Sequence, residues 1–123
     1  MGTCLSADDY RKASSFLSSI KPYLKTGEFN VRPSPKNKEF DKKYNLKHEQ
    51  KAKILCSLCA DDCVRIAPND NPRYEDNELF VFQKNVELEV YGEQSQAKLY
   101  IKMYLTQNSV ILVISFHEEG MFD

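Results

Sequence analysis

Residues 97–105 read AKLYIKMYL and alternate without a fault. Leu99, Ile101, Met103 and Leu105 fall on one side of a strand, and Lys98, Tyr100, Lys102 and Tyr104 on the other. The next segment, SVILVISFH at 109–117, is apolar on both faces and reads as a central strand. Two further alternating runs come before, ELFVFQK at 78–84 and VELEVYG at 86–92. A basic, aromatic stripe therefore lies beside the most buried strand of a sheet.

Upstream the period changes. Residues 8–25, DDYRKASSFLSSIKPYLK, carry Tyr10, Ala13, Phe16, Leu17, Ile20, Tyr23 and Leu24 at helical spacing. Asp8 is the expected N-cap and Gly27 the stop, with Pro22 expected to kink or fray the last turn. EFNV at 28–31 reads as a short strand broken by RPSP, and PKNKEFDKKYN as a helix with Phe40 and Tyr44 on its apolar side. KHEQKAKILCSLCADD at 47–62 reads as a further helix burying Ala52, Leu55, Cys56 and Cys59, with Asp61 and Asp62 opening a short turn. Residues 67–77, APNDNPRYEDN, form a loop. Helices in the first half and antiparallel strands in the second give an α+β fold, one domain over 1–123.

Composition excludes several classes. Apolar residues make up 41% and charged residues 28% of the 123, as in a globular chain. The apolar run 110–116 is too short to span a bilayer. The first residues lack an apolar secretory core, and MGTCLS matches a myristoylation start only loosely, so a cytoplasmic protein without membrane attachment is expected. The net charge of −1 conceals an asymmetry: thirteen Lys and Arg against six Asp and Glu from Arg11 to Arg65, then four against ten. A basic half suits a polyanionic ligand.

Cys56, Cys59 and Cys63 form C-x2-C-x3-C, three zinc ligands that Cys4 or His48 could complete. Their i, i+3, i+7 spacing beside Leu55 and Leu58 instead reads as one buried helix face, since free cysteine packs as a small hydrophobe. Neither a metal nor a cofactor is expected.

The stripe gains partners from the turn TQNS at 106–109. With Gln107 and Asn108 as a two-residue turn, Tyr104 faces Ile111, Lys102 faces Val113, Tyr100 faces Ser115 and Lys98 faces His117. His117 is then diagonal to Tyr100 on one face; a three-residue loop would send it to the other. In the first ribbon strand Phe80, Phe82 and Lys84 share one face and Leu79, Val81 and Gln83 the other, and spacing does not decide which joins the stripe. Arg65 stands where the helical half ends. The candidate constellation is Arg65, Gln83, Tyr100, Lys102 and His117, with Lys84 and Lys98 as further cations. Cations, a phenol and an imidazole without carboxylates suit phosphodiester cleavage by an internal 2′-OH. The plainer alternative is a sheet face that simply meets water.

The runs IKPYLKTGEFNV, LCSLCADDCVR, ELFVFQK, LYIKM and VILVISFHEE resemble, in order over about residues 16–119, the MqsR family of bacterial toxins. The resemblance implies a RelE-like fold and a metal-independent endoribonuclease, an mRNA interferase of a type II toxin–antitoxin pair. Such a protein cuts single-stranded mRNA to arrest translation and is held by an antitoxin encoded nearby; a homodimer stays open. The family's basic residue after the helix falls on Arg65, its glutamine on Gln83, its tyrosine on Tyr100 and its terminal basic residue on His117. The best-known pattern has lysine at both ends of that set, and often an indole where this chain has Phe82. Arginine holds phosphate but stays charged, whereas histidine titrates near neutrality. Lys84, Lys98 and Lys102 would follow the RNA backbone, and Tyr100 or Tyr104 would offer a face to a base. Which of His117 and Tyr100 is the base stays open. A non-catalytic RNA-binding or protein-interaction module with the same fold is the alternative.

Overall fold

Strict alternation produces the sheet. In the computed structural model, which describes residues 5–68, 78–90, 92–106 and 110–118, five strands pair: β1 Asn30–Val31, β2 Cys63–Ala67, β3 Leu79–Val90, β4 Glu93–Leu105 and β5 Ile111–Glu118. Their order is β1-β5-β4-β3-β2, with β1 parallel to β5 and every other neighbour antiparallel. Three helices, α1 Ala7–Lys25, α2 Pro35–Tyr44 and α3 His48–Cys56, occupy the first half of the chain. The fold is α+β, and among the described residues no helix is long and apolar enough to cross a membrane. Most of the loop expected at 67–77 lies outside the described residues, as do Gln107 and Asn108.

Side-chain oxygens start the first two helices. Ser6, two residues before the expected Asp8, caps α1 by accepting from the Asp9 amide at 3.1 Å; Asp8 and Asp9 then favour the positive end of the helix dipole. Pro22 does not end α1, which runs on to Lys25. Gly27, at φ 78°, closes it: the Glu28 amide donates to the Tyr23 carbonyl at 2.8 Å and the Gly27 amide to Leu24 at 3.1 Å. Ser34 caps α2 ahead of Pro35, and Asn45, in the left-handed region at φ 50°, stops it.

The segment 47–62 is not one helix. α3 stops at Cys56, and a 3-10 turn, Ala60–Asp62, follows after Leu58 has entered the core. The Asp62 carboxylate accepts from the Cys59 amide at 3.0 Å and so starts this second turn. The cysteines are therefore not one face: Cys56 is half-buried on α3, Cys59 is exposed, and only Cys63 is buried, inside β2. Arg65 likewise stands within a strand, not at a helix exit.

α1 and α2 pack on one face of the sheet, and α3 packs against α1 on the same side of the core. Leu17, Ile20, Leu24, Phe40 and Leu55 join Phe80, Phe82, Leu99, Ile101, Met103 and Phe116 in one core. Phe16 stacks on Phe80 at 4.0 Å, and Phe40 meets Phe116 edge-on at 6.0 Å. Each such side chain, fully buried, contributes roughly 1.5–3 kcal/mol. Lys51 of α3, 7% exposed, ties α3 to Asp41 of α2 through an ion pair of 2.5 Å.

Two bulges set the opposite face. Between β4 and β5 the register runs Leu105↔Ile111 to Met103↔Val113, then shifts to Lys102↔Ser115 and Tyr100↔His117, leaving Ile114 as the extra residue. The Thr106 amide donates to the Val110 carbonyl at 2.9 Å, so the pairing is one residue away from that of a two-residue turn. On its own that offset would bring His117 to the helix face; Ile114 returns it to the stripe. Between β2 and β3 a second shift, Cys63↔Phe82 then Arg65↔Val81, makes Val64 the extra residue. It leaves Cys63 facing the core and turns Arg65 to the other side.

Candidate functional site

Paired residues share a face, so the register lays the stripe out in rows. Arg65, Val81, Lys102 and Ser115 form one row across β2, β3, β4 and β5. Gln83, Tyr100 and His117 form the next, and Asn85 with Lys98 a third. Arg65, Gln83, Tyr100, Lys102 and His117, which the sequence scatters over more than fifty positions, thus meet in two adjacent rows on the face away from the helices.

The contacts follow from this layout. The Arg65 guanidinium Nη2 donates to Tyr100 Oη at 3.3 Å. The Tyr100 and His117 rings are 5.7 Å apart between centroids and 29° from parallel. Lys102 Nζ is 5.9 Å from the centre of the Tyr100 ring, within cation–π range. Tyr100 is therefore the hub: one cation at its hydroxyl, another at its ring, an imidazole beside it.

His117 Nδ1 is 2.8 Å from the backbone oxygen of Glu118. A carbonyl oxygen only accepts, so Nδ1 carries the proton and the neutral ring presents its lone pair at Nε2. That is the tautomer a general base needs. His117 is only 8% exposed, so contact with a substrate is confined to a small part of the ring.

Three further candidates stand differently. Lys98 is on the stripe face and exposed. Lys84 pairs with Leu99 on the helix face and makes an ion pair with Asp62 at 3.5 Å, so it does not belong to the stripe. Tyr104 is on the stripe face but 5% exposed, too buried to offer its ring to a base. Pairing also decides what alternation left open: Gln83, not Phe82 or Lys84, is the β3 residue beside Tyr100.

Charge is distributed otherwise than the halves of the sequence suggest. The lysines of α1, α2 and α3 belong to the helical layer, and of the first half's cations Arg65 is the one that β2 carries onto the stripe face. Ser115, in the row of Arg65 and Lys102, was not singled out from the sequence; its signal is a lone hydroxyl in an otherwise apolar run.

On the helical layer a cleft of about 760 Å³ opens between the end of α1 and α3, lined among others by Lys25, Gly27, His48, Lys53 and Cys56. His48 is committed structurally. Its Nε2 donates to the Gly27 carbonyl at 2.8 Å, and its ring stacks on Phe29 at 4.1 Å. Among the described residues no three His, Cys, Asp or Glu side chains converge as a metal site would require. Comparison of the chain with protein-family models, with curated proteins and with solved structures finds no match.

Proposed function

We propose that the protein is a metal-independent endoribonuclease, an mRNA interferase toxin of a type II toxin–antitoxin pair that cuts single-stranded mRNA in the cytoplasm. The observation that carries this reading is the row Gln83, Tyr100, His117 with Arg65 bonded to the phenol. The resemblance of the sequence runs to the MqsR family supports the same assignment, with a RelE-like fold and a protein antitoxin as partner.

In this mechanism the ribose 2′-oxygen attacks the adjacent phosphorus and the bond from phosphorus to the 5′-oxygen breaks. His117 Nε2 takes the 2′ proton, and Tyr100 Oη–H supplies a proton to the leaving oxygen. Transfer of a proton from His117 to Tyr100, through water, resets both. Arg65 and Lys102 neutralise the charge that builds on the phosphorane, and Gln83 orients a phosphate or base edge. The products are a 2′,3′-cyclic phosphate and a 5′-OH.

The test is incubation of purified protein with single-stranded RNA in EDTA, with analysis of the new termini. Cyclic phosphate ends support the proposal; loss of cleavage on chelation, restored by magnesium, overturns it. The slight exposure of His117 favours a second reading, a non-catalytic RNA-binding module. That protein would bind RNA with a steep salt dependence and leave it intact.

A further inference from the structure

The bulge that turns His117 onto the stripe has a dedicated partner. Asn37 of α2 is a polar side chain only 1% exposed. Its Nδ2 donates to the Ile114 carbonyl at 3.0 Å and to the Arg32 carbonyl at 2.8 Å, while its Oδ1 accepts from the Phe116 amide at 2.9 Å. Ile114 is the extra residue of β5, and Phe116 is the first residue after Ser115 in the shifted register.

β1 reaches only as far as Val31, opposite Val113; one more backbone bond, from the Arg32 amide to Val113, extends it. Beyond that point no strand among the described residues pairs with β5 on this edge, and a buried carbonyl and amide need partners. The Asn37 amide supplies both, with the donor and acceptor pair a strand would have offered. Its own place is secured, since its backbone amide donates to the Ser34 cap at 3.2 Å. One side chain of one helix thus bonds both the extra residue Ile114 and Phe116 just beyond it.

We infer that Asn37 is a positioning residue for His117, holding β5 in the shifted register in which the imidazole faces Tyr100. A one-residue slip on β5 would reverse the faces of Ser115 and His117 and bring the imidazole under the helices. The inference rests on the reading of His117 as the proton acceptor for its link to activity; the register claim stands on geometry alone.

The test uses the full chain and Asn37→Asp, which keeps the shape and the acceptor but replaces the two donated bonds by a carboxylate oxygen facing two carbonyls. Lys51→Ala, which loosens α2 from α3 without touching β5, is the control for lost stability. Contacts between the Tyr100 and His117 rings are read by proton NMR, and cleavage by steady-state kinetics. Folded Asn37→Asp is expected to lose the ring contacts and about 100-fold in kcat with little change in KM, the scale of a misplaced catalytic group. Lys51→Ala should retain both. A folded Asn37→Asp protein that keeps the ring contacts overturns the proposal, as does an equal loss in Lys51→Ala. Should Asn37→Asp not fold, the parent decides: slow solvent exchange of the Asn37 side-chain NH2 and the Phe116 amide supports the clamp, and fast exchange of both overturns it. If the parent cuts no RNA, the enzymatic reading fails, while the ring contacts and amide exchange still judge the register.

Discussion

Tyr100 and His117 are direct partners across β4 and β5, their ring centroids 5.7 Å apart. They are not diagonal neighbours, as a two-residue turn would have made them. The contact joins the phenol that Arg65 touches to the imidazole whose Nδ1 is bonded to the Glu118 carbonyl. Phenol, imidazole and guanidinium are adjacent, and none of these three partners is a carboxylate.

The first prediction follows from that pairing. His117→Ala should fold, because a single polar side chain near the end of a strand supplies little of the core, and should lose two to four orders of magnitude in cleavage, roughly the share of a positioned acid or base. Tyr100→Phe keeps the ring beside His117 and removes only the hydroxyl. It should retain RNA binding and lose turnover. Parental cleavage by both folded variants would reduce the stripe to a wetted sheet face.

Lys102 and Lys84 should separate cleanly, although both lie on the ribbon. Lys102 shares its face with Tyr100, whereas Lys84 is turned to Asp62 on the helix face. Lys102→Ala, and likewise Lys98→Ala, should lower the slope of log affinity against log salt by roughly 0.7 on a single strand, one phosphate's share. Lys84→Ala should leave that slope unchanged and cost less than about 1 kcal/mol of stability, as partly exposed ion pairs do. Salt titrations of the three variants against one RNA check this.

The Lys51–Asp41 pair makes a prediction about stability alone. Lys51 is almost fully covered, and Asp41 is about one third exposed at its side chain. Lys51→Ala leaves the carboxylate half-buried without its cation, at a cost of about 1.5–3 kcal/mol, the range for a lost bond to a charged group. Asp41→Asn with Lys51 retained should cost less, since a flexible lysine can reach water. Urea titration of both variants decides the order.

Much of this architecture is legible in the residue pattern, and the failures have physical reasons. The alternation of 97–105 survives into β4 because one face must meet the helices and the other must not. The cysteines misled because i, i+3 and i+7 fit a helix face even when the backbone stops being helical after Cys56. After α3 has stopped at Cys56, the Asp62 carboxylate accepts from the Cys59 amide and starts a separate 3-10 turn, a local contact that apolar spacing does not encode. Both faces of the first ribbon strand carry large apolar residues, so only its pairing with β4 could show that Gln83 joins Tyr100.

The bulges at Val64 and Ile114 were illegible for a simpler reason: an inserted β-branched residue in a strand looks like any other strand residue. Asn37 was equally hidden, one amide among the lysines of a polar helix, indistinguishable from a solvated position. The candidate residues can thus be picked out of the sequence, but not the geometry that brings five of them together. Arg65 and His117 reach Tyr100 through two register shifts that no composition signals.

Cys63 provides the last prediction, because its environment is opposite to that of Cys59. Burial pushes the Cys63 thiol up from its ordinary 9.0 to about 11, and its Sγ is 3.5 Å from the Arg65 carbonyl. Thiolate is the reactive form, so iodoacetamide should modify exposed Cys59 first and half-buried Cys56 next, leaving Cys63 until the chain opens. The same shift fixes a sign for stability. Above pH 9 the unfolded chain releases this proton while the native state keeps it, so the contribution is whole below pH 9 and is lost as pH rises towards 11. Cys63→Ala removes the titrating group and leaves a smaller side chain in the core. It should be less stable than the parent at pH 8, with the difference shrinking as pH approaches 11. Urea unfolding at pH 8, 9.5 and 10.5 on both proteins measures that difference, and a gap that stays constant or widens would contradict the buried, protonated thiol.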